Sequence, residues 1–112
     1  MNNVSLVGNL TRDPAWFIQE DKDWVAKFDV ATETGYDAKE KKQRVEFVPI
    51  TAFGISESFK KHLIKGRKVS IMGRVGNDSY EKDGQTQYTC CVKAFNGSVR
   101  LLDSPKKQGG EE

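Results

Sequence analysis

EFVPITAFG, residues 46–54, is the most informative segment of the chain, because its residues alternate as they do along a β-strand with one buried face. Phe47, Thr51 and Phe53 share one side of such a strand, since neighbouring side chains point to opposite faces. The other side carries the core candidates Val48, Ile50 and Ala52. Aromatic rings on an open sheet surface, with basic residues nearby, form a stacking platform for unpaired bases. We therefore expect this strand to border both the core and a nucleic-acid surface.

Similar alternation on both sides of this segment predicts four further strands. With the segment itself, the predicted strands cover residues 4–10, 24–32, 45–53, 69–75 and 88–95. In the fourth of them, Val69, Ile71, Gly73 and Val75 share the predicted core face. Short extended pieces are expected at residues 16–18 and 99–102, and Asp83-Gly84 predicts a hairpin before the fifth strand. Pro49 lacks the amide hydrogen of a ladder, so it predicts an edge position or a bulge for the third strand.

One helix and one long loop are predicted between these strands. Ile55, Phe59 and Leu63 recur every four residues, which indicates a helix over residues 54–66. Gly54 or Ser56 would begin this helix and Gly66 would end it. Residues 34–44 are polar and include the basic run AKEKKQR, so we expect a long loop there.

Five strands with one helix between the third and the fourth predict an all-β domain, the five-stranded Greek-key barrel known as the OB-fold. A βαβ arrangement is disfavoured because it needs more than one helix. The barrel would take residues 1–103, and residues 104–112 would form a short disordered tail, since SPKKQGGEE is polar and rich in glycine.

The composition of the 112 residues fits one globular domain, with 30% charged and 37% hydrophobic residues. No apolar run approaches the roughly 20 residues of a membrane span, and the first strand pattern leaves no room for a signal peptide. We therefore expect a cytoplasmic protein without a membrane partner. Cys90 and Cys91 are adjacent on a predicted strand and therefore point to opposite faces, so we expect no disulfide between them, with one buried and the other partly exposed. With a single histidine, we expect no metal, no cofactor and no catalytic set of side chains.

The net charge of +2 conceals an uneven distribution of charge. Residues 35–74 hold ten Lys or Arg against four Asp or Glu, whereas the rest of the chain holds eight against twelve. A surface that binds a polyanion needs such an excess, because phosphate contacts dominate affinity. A solvated helix face together with a charged loop would give the same count.

The residues resemble the bacterial single-stranded DNA-binding protein family, usually called SSB, in a short form. The resemblance lies in NVSLVGNLTRDP (residues 3–14), VAKFDVAT (25–32), ITAFG (50–54), LIKGRKVSIMGRV (63–75) and SYEKDGQTQYTCCV (79–92). It implies base stacking at four aromatic positions, which here are Tyr36, Phe47, Phe53 and Tyr80. It also implies that the basic loop closes over DNA, so the candidate phosphate contacts on the loop are Lys39, Lys41, Lys42 and Arg44. Arg74 is a further candidate, because it points away from the core face of the fourth strand. Trp16 and Trp24 lie at none of the stacking positions.

The resemblance further implies protection of single-stranded DNA during replication, recombination or repair, by a homotetramer with the N-terminal strand in the dimer contact. The sequence alone does not distinguish a tetramer from a dimer. This sequence ends in KKQGGEE and lacks the acidic tip of the family, so we do not expect tail-mediated recruitment of repair enzymes. Asp78 and Glu81 also depart from the basic arm usual in the family. Two alternatives stay open: a primosome-type OB-fold accessory protein, and an OB-fold protein-interaction module without strong DNA binding.

Overall fold

The computed structural model describes residues 1–18, 23–95 and 97–102 and contains seven strands and one short helix in that part of the chain. The elements are β1 (Val4–Leu10), β2 (Ala15–Ile18), β3 (Trp24–Asp37), β4 (Lys42–Ile55), α1 (Glu57–Lys60), β5 (Lys68–Lys82), β6 (Gln85–Ala94) and β7 (Val99–Leu101). The predicted tail over residues 104–112 lies outside the described residues.

Five of the strands form a closed barrel. The sheet runs in the order β1-β3-β4-β6-β5, and β1 also pairs with β5, which closes it. All of these contacts are antiparallel except the pairing of β4 with β6, which is parallel and joins Ile50–Ala52 to Val92–Ala94. β2 and β7 are short additions that pair with β3 and β5, as the two predicted extended pieces suggested. The five-stranded OB-fold is confirmed.

The core lies inside the barrel and contains the side chains that the alternation predicted. Its largest fully buried members are Ile50, Leu63, Ile71, Val30 and Val69. Val75 was predicted for the same core face, but it is 47% exposed. The reason is that β5 leaves β1 at Gly73 and pairs with β6 from Arg74 onwards, so the strand has left the barrel core before Val75.

Gly73 is the point at which β5 changes its partner, and the backbones approach closely there. A Cβ atom at this position would lie 2.2 Å from the carbonyl oxygen of Lys93. Only glycine therefore fits this crossing. Just beyond it, the side chain of Asn2 exchanges two hydrogen bonds of 2.9 Å with the backbone of Val75, which prolongs the pairing with the N-terminal segment.

The helix predicted over residues 54–66 is much shorter in the structure. Ser56 caps α1, accepting a hydrogen bond of 3.2 Å from the Phe59 amide, but the helix ends at Lys60. Two later amides have partners elsewhere: Lys65 N donates to Asp13 Oδ1 and Gly66 N donates to the Leu10 carbonyl. The spacing of four residues did not mark one long helix, because Ile55 ends β4 and the buried Leu63 follows α1 in a tighter turn, its amide bonding to the Lys60 carbonyl.

The long loop predicted over residues 34–44 is instead a β-hairpin. β3 and β4 continue well beyond the barrel, and only residues 38–41 form the turn between them. The strands β5 and β6 extend in the same way and meet at the predicted Asp83-Gly84 turn. We call residues 33–45 the first arm and residues 77–90 the second arm. Both are antiparallel ribbons with residues from two strands only.

The edge position predicted for the third strand from Pro49 is wrong. Its counterpart β4 pairs with β3 on one side and, at Ile50–Ala52, with β6 on the other, so it is central where it crosses the barrel. Pro49 lies opposite Asp29 of β3, one residue before the parallel ladder with β6 begins. A proline is tolerated there because no ladder bond to β6 needs its missing amide hydrogen.

Candidate nucleic-acid interface

The pairing of four strands defines one outer face of the barrel, which we call the outer sheet face. Residues directly opposite each other in a sheet project to the same side. Lys27 of β3 pairs with Thr51 of β4, Thr51 pairs with Lys93 of β6, and Lys93 pairs with Arg74 of β5. The outer sheet face therefore has a row of polar residues across its centre, and the same strand parity places further residues on it.

Phe47 and Phe53 lie on this face, as the sequence predicted. The Phe47 ring is 66% exposed. Phe53 is half-buried, and its ring stacks on that of Phe95, with centroids 5.0 Å apart and planes 9° from parallel. Directly after Phe53, β4 contains an irregularity at Gly54, whose φ of 75° lies in the left-handed region. This bulge ends the alternation, so Phe53 is the last outward side chain before the strand returns to the core at Ile55.

Tyr36 reaches the outer sheet face because of a β-bulge in the first arm. The register between β3 and β4 shifts by one residue between Glu33 and Gly35, so that Tyr36 pairs with Gln43. Gln43 has the strand parity of Phe47, and its partner Tyr36 therefore projects to the same side. Without the extra residue, the even-numbered Tyr36 would point away from Lys27 and Phe47. Its ring is 60% exposed.

Tyr80 projects to the same side from the second arm. It shares strand parity with Arg74, and the pairing of β5 with β6 is regular from Arg74 to Lys82. The Tyr80 ring is 50% exposed. Tyr88 lies on the opposite side of this arm, because it pairs with Ser79. The structure thus brings all four predicted stacking residues onto one face and leaves Tyr88 off it.

The predicted phosphate contacts of the first arm lie at its tip, in different environments. Asp37 organises the turn, since its Oδ1 accepts hydrogen bonds from the amides of Lys39 and Glu40 at 3.0 and 3.2 Å. The other oxygen of Asp37 pairs with the Arg44 guanidinium at 3.1 Å, on the side of the ribbon away from Tyr36. The side chains of Lys39, Lys41 and Lys42 are exposed around this turn. The tip therefore presents three lysines, with Arg44 held by Asp37.

Arg74 lies on the outer sheet face as predicted, and it contacts an aromatic ring that the sequence did not single out. Its guanidinium carbon is 4.7 Å from the centroid of the Phe95 ring. Phe95 thus joins Arg74 and Phe53 in one contact group at the end of the face. The sequence could have placed Phe95 on this face, because Phe95 is two residues after Lys93 and alternation puts both on one side, although β6 ends at Ala94.

A polar cluster occupies the centre of the outer sheet face, and we call it the Asp78 cluster. Asp78 Oδ2 accepts a hydrogen bond of 2.7 Å from Thr51 Oγ1 and lies 3.5 Å from Lys27 Nζ. Asp78 Oδ1 lies 3.9 Å from Lys93 Nζ. Thr51 was predicted to lie on the open face between the rings, but it is only 3% exposed because Asp78 and Cys91 cover it.

The Asp78 carboxylate stays charged at neutral pH despite its partial burial. Burial raises its pKa, but the hydrogen bond from Thr51 and the charges of Lys27 and Lys93 outweigh that effect, so the pKa lies below its ordinary value. The neighbouring Cys91 is buried, and this burial raises the pKa of its thiol. Cys90 is exposed, and both cysteines are free, as their adjacency predicted.

The two tryptophans belong to a packing contact at another part of the surface. Trp16 and Trp24 meet edge to face, with ring centroids 6.3 Å apart, and Lys60 Nζ lies 3.4 Å from the Trp24 centroid. The Trp24 indole also donates a hydrogen bond of 2.7 Å to Glu57. Both rings are partly buried and pack against the core.

In the described part of the chain, no group of three or more His, Cys, Asp or Glu side chains is arranged to hold a metal ion. Within the same residues, no helix is long and apolar enough to cross a membrane.

Comparisons with known proteins give one consistent result. The sequence profile of the "Single-strand binding protein family" matches residues 1–99. A single-stranded DNA-binding protein of Staphylococcus epidermidis is 29% identical over 112 residues, which cover 99% of this chain and 82% of that protein. One of Clostridium tetani is 34% identical over 111 residues, 96% of this chain and 74% of that protein. A solved structure described as "Plasmodium falciparum SSB complex with ssDNA" superposes with a TM-score of 0.73 at 24% identity, over 92% of this chain and 96% of that chain.

Proposed function

The chain belongs to the single-strand binding protein family, and we propose that it binds single-stranded DNA largely without sequence preference. The observation that carries the proposal is the placement of four aromatic rings on one outer face, from the tip of one arm to the other. Phe47 and Phe53 lie on the barrel, and Tyr36 and Tyr80 lie on the arms. A bulge in β3 is needed to bring Tyr36 to this side, so strand alternation alone does not explain the arrangement.

Bases would stack on these rings, because every base offers a π face whatever its identity. Each stacked base contributes about 1–3 kcal/mol, and hydrogen bonds to base edges are not required. Phe53 has one neighbour already, since Phe95 lies parallel to it, so the two rings act as one platform. The exposed Phe47 ring offers more free surface and should contribute most among the rings on the barrel.

Phosphates would be neutralised mainly by the tip of the first arm. Lys39, Lys41 and Lys42 are exposed there, and Arg74 adds a positive charge beside Phe95. Arg44 would contribute less than the sequence predicted, because Asp37 already pairs with its guanidinium at 3.1 Å. Contacts of this kind position the strand and give binding its dependence on salt.

The bound strand would be kept unpaired and protected during replication, recombination or repair. Holding DNA in this way requires no bond to be made or broken, so we propose a binding protein without catalytic activity, acting on DNA in the cytoplasm. The proposal predicts that a clean preparation neither cleaves DNA nor hydrolyses ATP.

We also propose that the protein is a homo-oligomer in which β1 contributes to the contact between subunits. Ser5 and Val7 of β1 pair with Met72 and Ser70 of β5 and share their outer side. Val7 and Met72 are large apolar side chains exposed at 47% and 63%. Exposed apolar groups of this kind favour a protein partner. Sedimentation equilibrium would distinguish a dimer from a tetramer, and Met72→Lys should lower the subunit number; a monomeric wild-type protein would contradict this proposal.

The proposed DNA binding is tested by fluorescence anisotropy of labelled oligo-dT, titrated beside a duplex of the same length. We expect tight binding to dT and weak binding to the duplex. Phe47→Ala should weaken dT binding about 5- to 150-fold, the equivalent of about 1–3 kcal/mol. Tyr88→Ala is the matched control, because this exposed ring lies on the opposite side of its arm. Equal or negligible binding to both nucleic acids would contradict the proposal and favour the protein-interaction alternative.

A further inference from the structure

We propose that Lys27, Thr51 and Lys93 form a phosphate-binding site at the centre of the outer sheet face, and that Asp78 fills this site when no nucleic acid is bound. The inference rests on the proposed function and adds a site to it. On this view Asp78 competes with the DNA backbone for two lysines and one hydroxyl. The protein therefore carries an internal competitor for its own ligand.

The donors around Asp78 have the chemistry of a phosphate site. Thr51 Oγ1 donates to the carboxylate at 2.7 Å, and the ammonium groups of Lys27 and Lys93 lie 3.5 and 3.9 Å from its oxygens. Lysine and threonine side chains are among the usual partners of phosphate oxygens. A carboxylate and a phosphate are both oxyanions, so one can replace the other at these donors.

The position of the site lies on the path that a stacked strand must take. Thr51 is on β4 between Phe47 and Phe53, and all three project to the outer sheet face. Lys27 and Lys93 flank Thr51 on the neighbouring strands β3 and β6. A nucleic acid whose bases stack on both phenylalanines therefore passes over this row of residues. The Lys27 side chain is 46% exposed, so a backbone phosphate can reach it.

Asp78 lies on β5 where the second arm leaves the barrel, and its side chain can occupy the site reversibly. Its side chain lies on the same face, and only its carboxylate group covers the lysines. Rotation about the Cα–Cβ bond would remove this carboxylate without any change in the pairing of β5 with β6. The alternative is that Asp78 only anchors the arm through its ion pairs, in which case DNA would leave the cluster intact.

The test is a comparison of dT affinity between the wild-type protein and Asp78→Asn. Asparagine keeps the size of the side chain and an acceptor for Thr51, but it releases both lysines. Phosphate then has no carboxylate to displace from Lys27 and Lys93. We therefore expect dT binding about 5-fold tighter at 0.1 M salt. Unchanged or weaker dT binding would overturn the proposal.

Glu81→Gln is the matched control for the charge change. Glu81 lies on the same arm and accepts a hydrogen bond from Thr86 at 3.1 Å, on the side away from Tyr80. Its replacement removes the same charge outside the proposed site. We expect a change in affinity below about 2-fold at 0.1 M salt, because a Debye length of about 10 Å screens distant charges. If Glu81→Gln changed the affinity as much as Asp78→Asn, the change in net charge alone would explain both results, and the proposal would be wrong.

A double-mutant comparison separates the proposed site from a structural anchor. Lys93→Gln should weaken dT binding strongly in the Asp78→Asn background and only slightly in the wild-type background, since Asp78 partly neutralises Lys93 there. Equal losses in both backgrounds would overturn the proposal. If wild-type protein does not bind dT at all, the proposed function itself fails, which is a separate outcome.

A measurement on the wild-type protein tests the same proposal even if the variants do not fold. The side-chain carboxyl carbon of Asp78 can be followed by NMR while oligo-dT is added to the wild-type protein. Displacement by phosphate should move this resonance, together with those of the Lys27 and Lys93 ε-methylene groups. If dT binds but these three signals stay in place, the cluster is only an anchor and the proposal is wrong.

Discussion

The first arm and the second arm have the same construction, for both are antiparallel ribbons that carry one exposed tyrosine on the outer sheet face. Their charges differ. Residues 38–44 hold four basic side chains and one acidic, whereas residues 78–83 hold three acidic side chains and one basic. The comparison shows that the two arms share the geometry for base stacking but not the attraction to phosphate. We therefore assign most of the electrostatic contribution to the first arm.

The arms also reach this common geometry by different means. In the first arm a bulge between Glu33 and Gly35 turns Tyr36 to the outer sheet face, and Asp37 holds the turn. In the second arm the pairing is regular, and the tight Asp83-Gly84 turn has positive φ at both residues, as a type I′ turn requires. Its root is joined to the barrel through Asp78.

The largest expected effect is a loss of stability at Gly73, where β5 changes its partner before the second arm begins. Gly73→Ala should lower the free energy of unfolding by about 3 kcal/mol or more, because the new Cβ would lie 2.2 Å from the Lys93 carbonyl oxygen. Urea denaturation measures this loss. Gly76→Ala is the control, since its Cβ would meet only the flexible side chain of Lys93, at 3.0 Å, and should cost below about 1 kcal/mol. Equal losses would show that the crossing at Gly73 is not tight.

The shared stacking geometry is tested by removing one ring from each arm. Tyr36→Ala and Tyr80→Ala should each weaken dT binding by about 1–3 kcal/mol, and Tyr→Phe at either position should largely preserve it. Anisotropy titrations at one salt concentration give the comparison. If only Tyr36→Ala had an effect, the second arm would not bind DNA and the likeness between the arms would be structural alone.

The difference in charge is tested through the salt dependence of binding. Replacing Lys41 and Lys42 together by glutamine should make the slope of log K against log salt shallower by about 1.4, because two phosphate contacts are lost. Lys65→Gln should leave the slope unchanged, since this exposed lysine follows α1, in a segment whose backbone bonds to Asp13 and Leu10 and not to the strand residues of the outer sheet face. A double variant with the wild-type slope would show that the first arm does not supply the phosphate contacts.

The smallest expected effect is the change of stability with pH that comes from the ion pairs of Asp78, which join the second arm to the barrel. The pKa of Asp78 is lowered in the folded protein, so its contribution to stability is present above its ordinary pKa and is lost as the pH falls through the folded value. Wild-type protein should therefore lose more stability than Asp78→Asn between about pH 5 and pH 3. Thermal unfolding across this range measures the difference. If the unfolding temperatures of the two proteins changed equally with pH, the ion pairs of Asp78 would not stabilise the fold.

Much of the barrel was predictable, because alternation depends on local sequence and on burial. The same pattern could not show that β3, β4, β5 and β6 continue beyond the core, since both sides of an arm face solvent and no apolar period marks them. The helix was overestimated for a related reason. Leu63 has helical spacing, but its amide bonds to the Lys60 carbonyl, only three residues back, and the amides of Lys65 and Gly66 bond to other segments.

The site was partly predictable, and its strand parity was the informative signal. The outward position of Phe47 and Phe53 followed from alternation on a single strand. Tyr36 could be placed only through the family resemblance, because the bulge that turns it is visible only in the pairing of two strands. The Asp78 cluster was not predicted, since Lys27, Thr51, Asp78 and Lys93 come from four strands and no local sequence pattern connects them.

The parallel pairing of β4 with β6 has a consequence for the order of folding. Each arm joins segments that are neighbours along the chain, and hairpins of this kind form in about 1–10 μs. The barrel closes only when Ile50 meets Val92 and Val4 meets Gly73, which are contacts between distant segments. Such contacts are slow because a long loop must close first. During synthesis the first arm can therefore form before β5 is available to pair with β1. The apolar residues of β1 then depend on the second half of the chain for their burial.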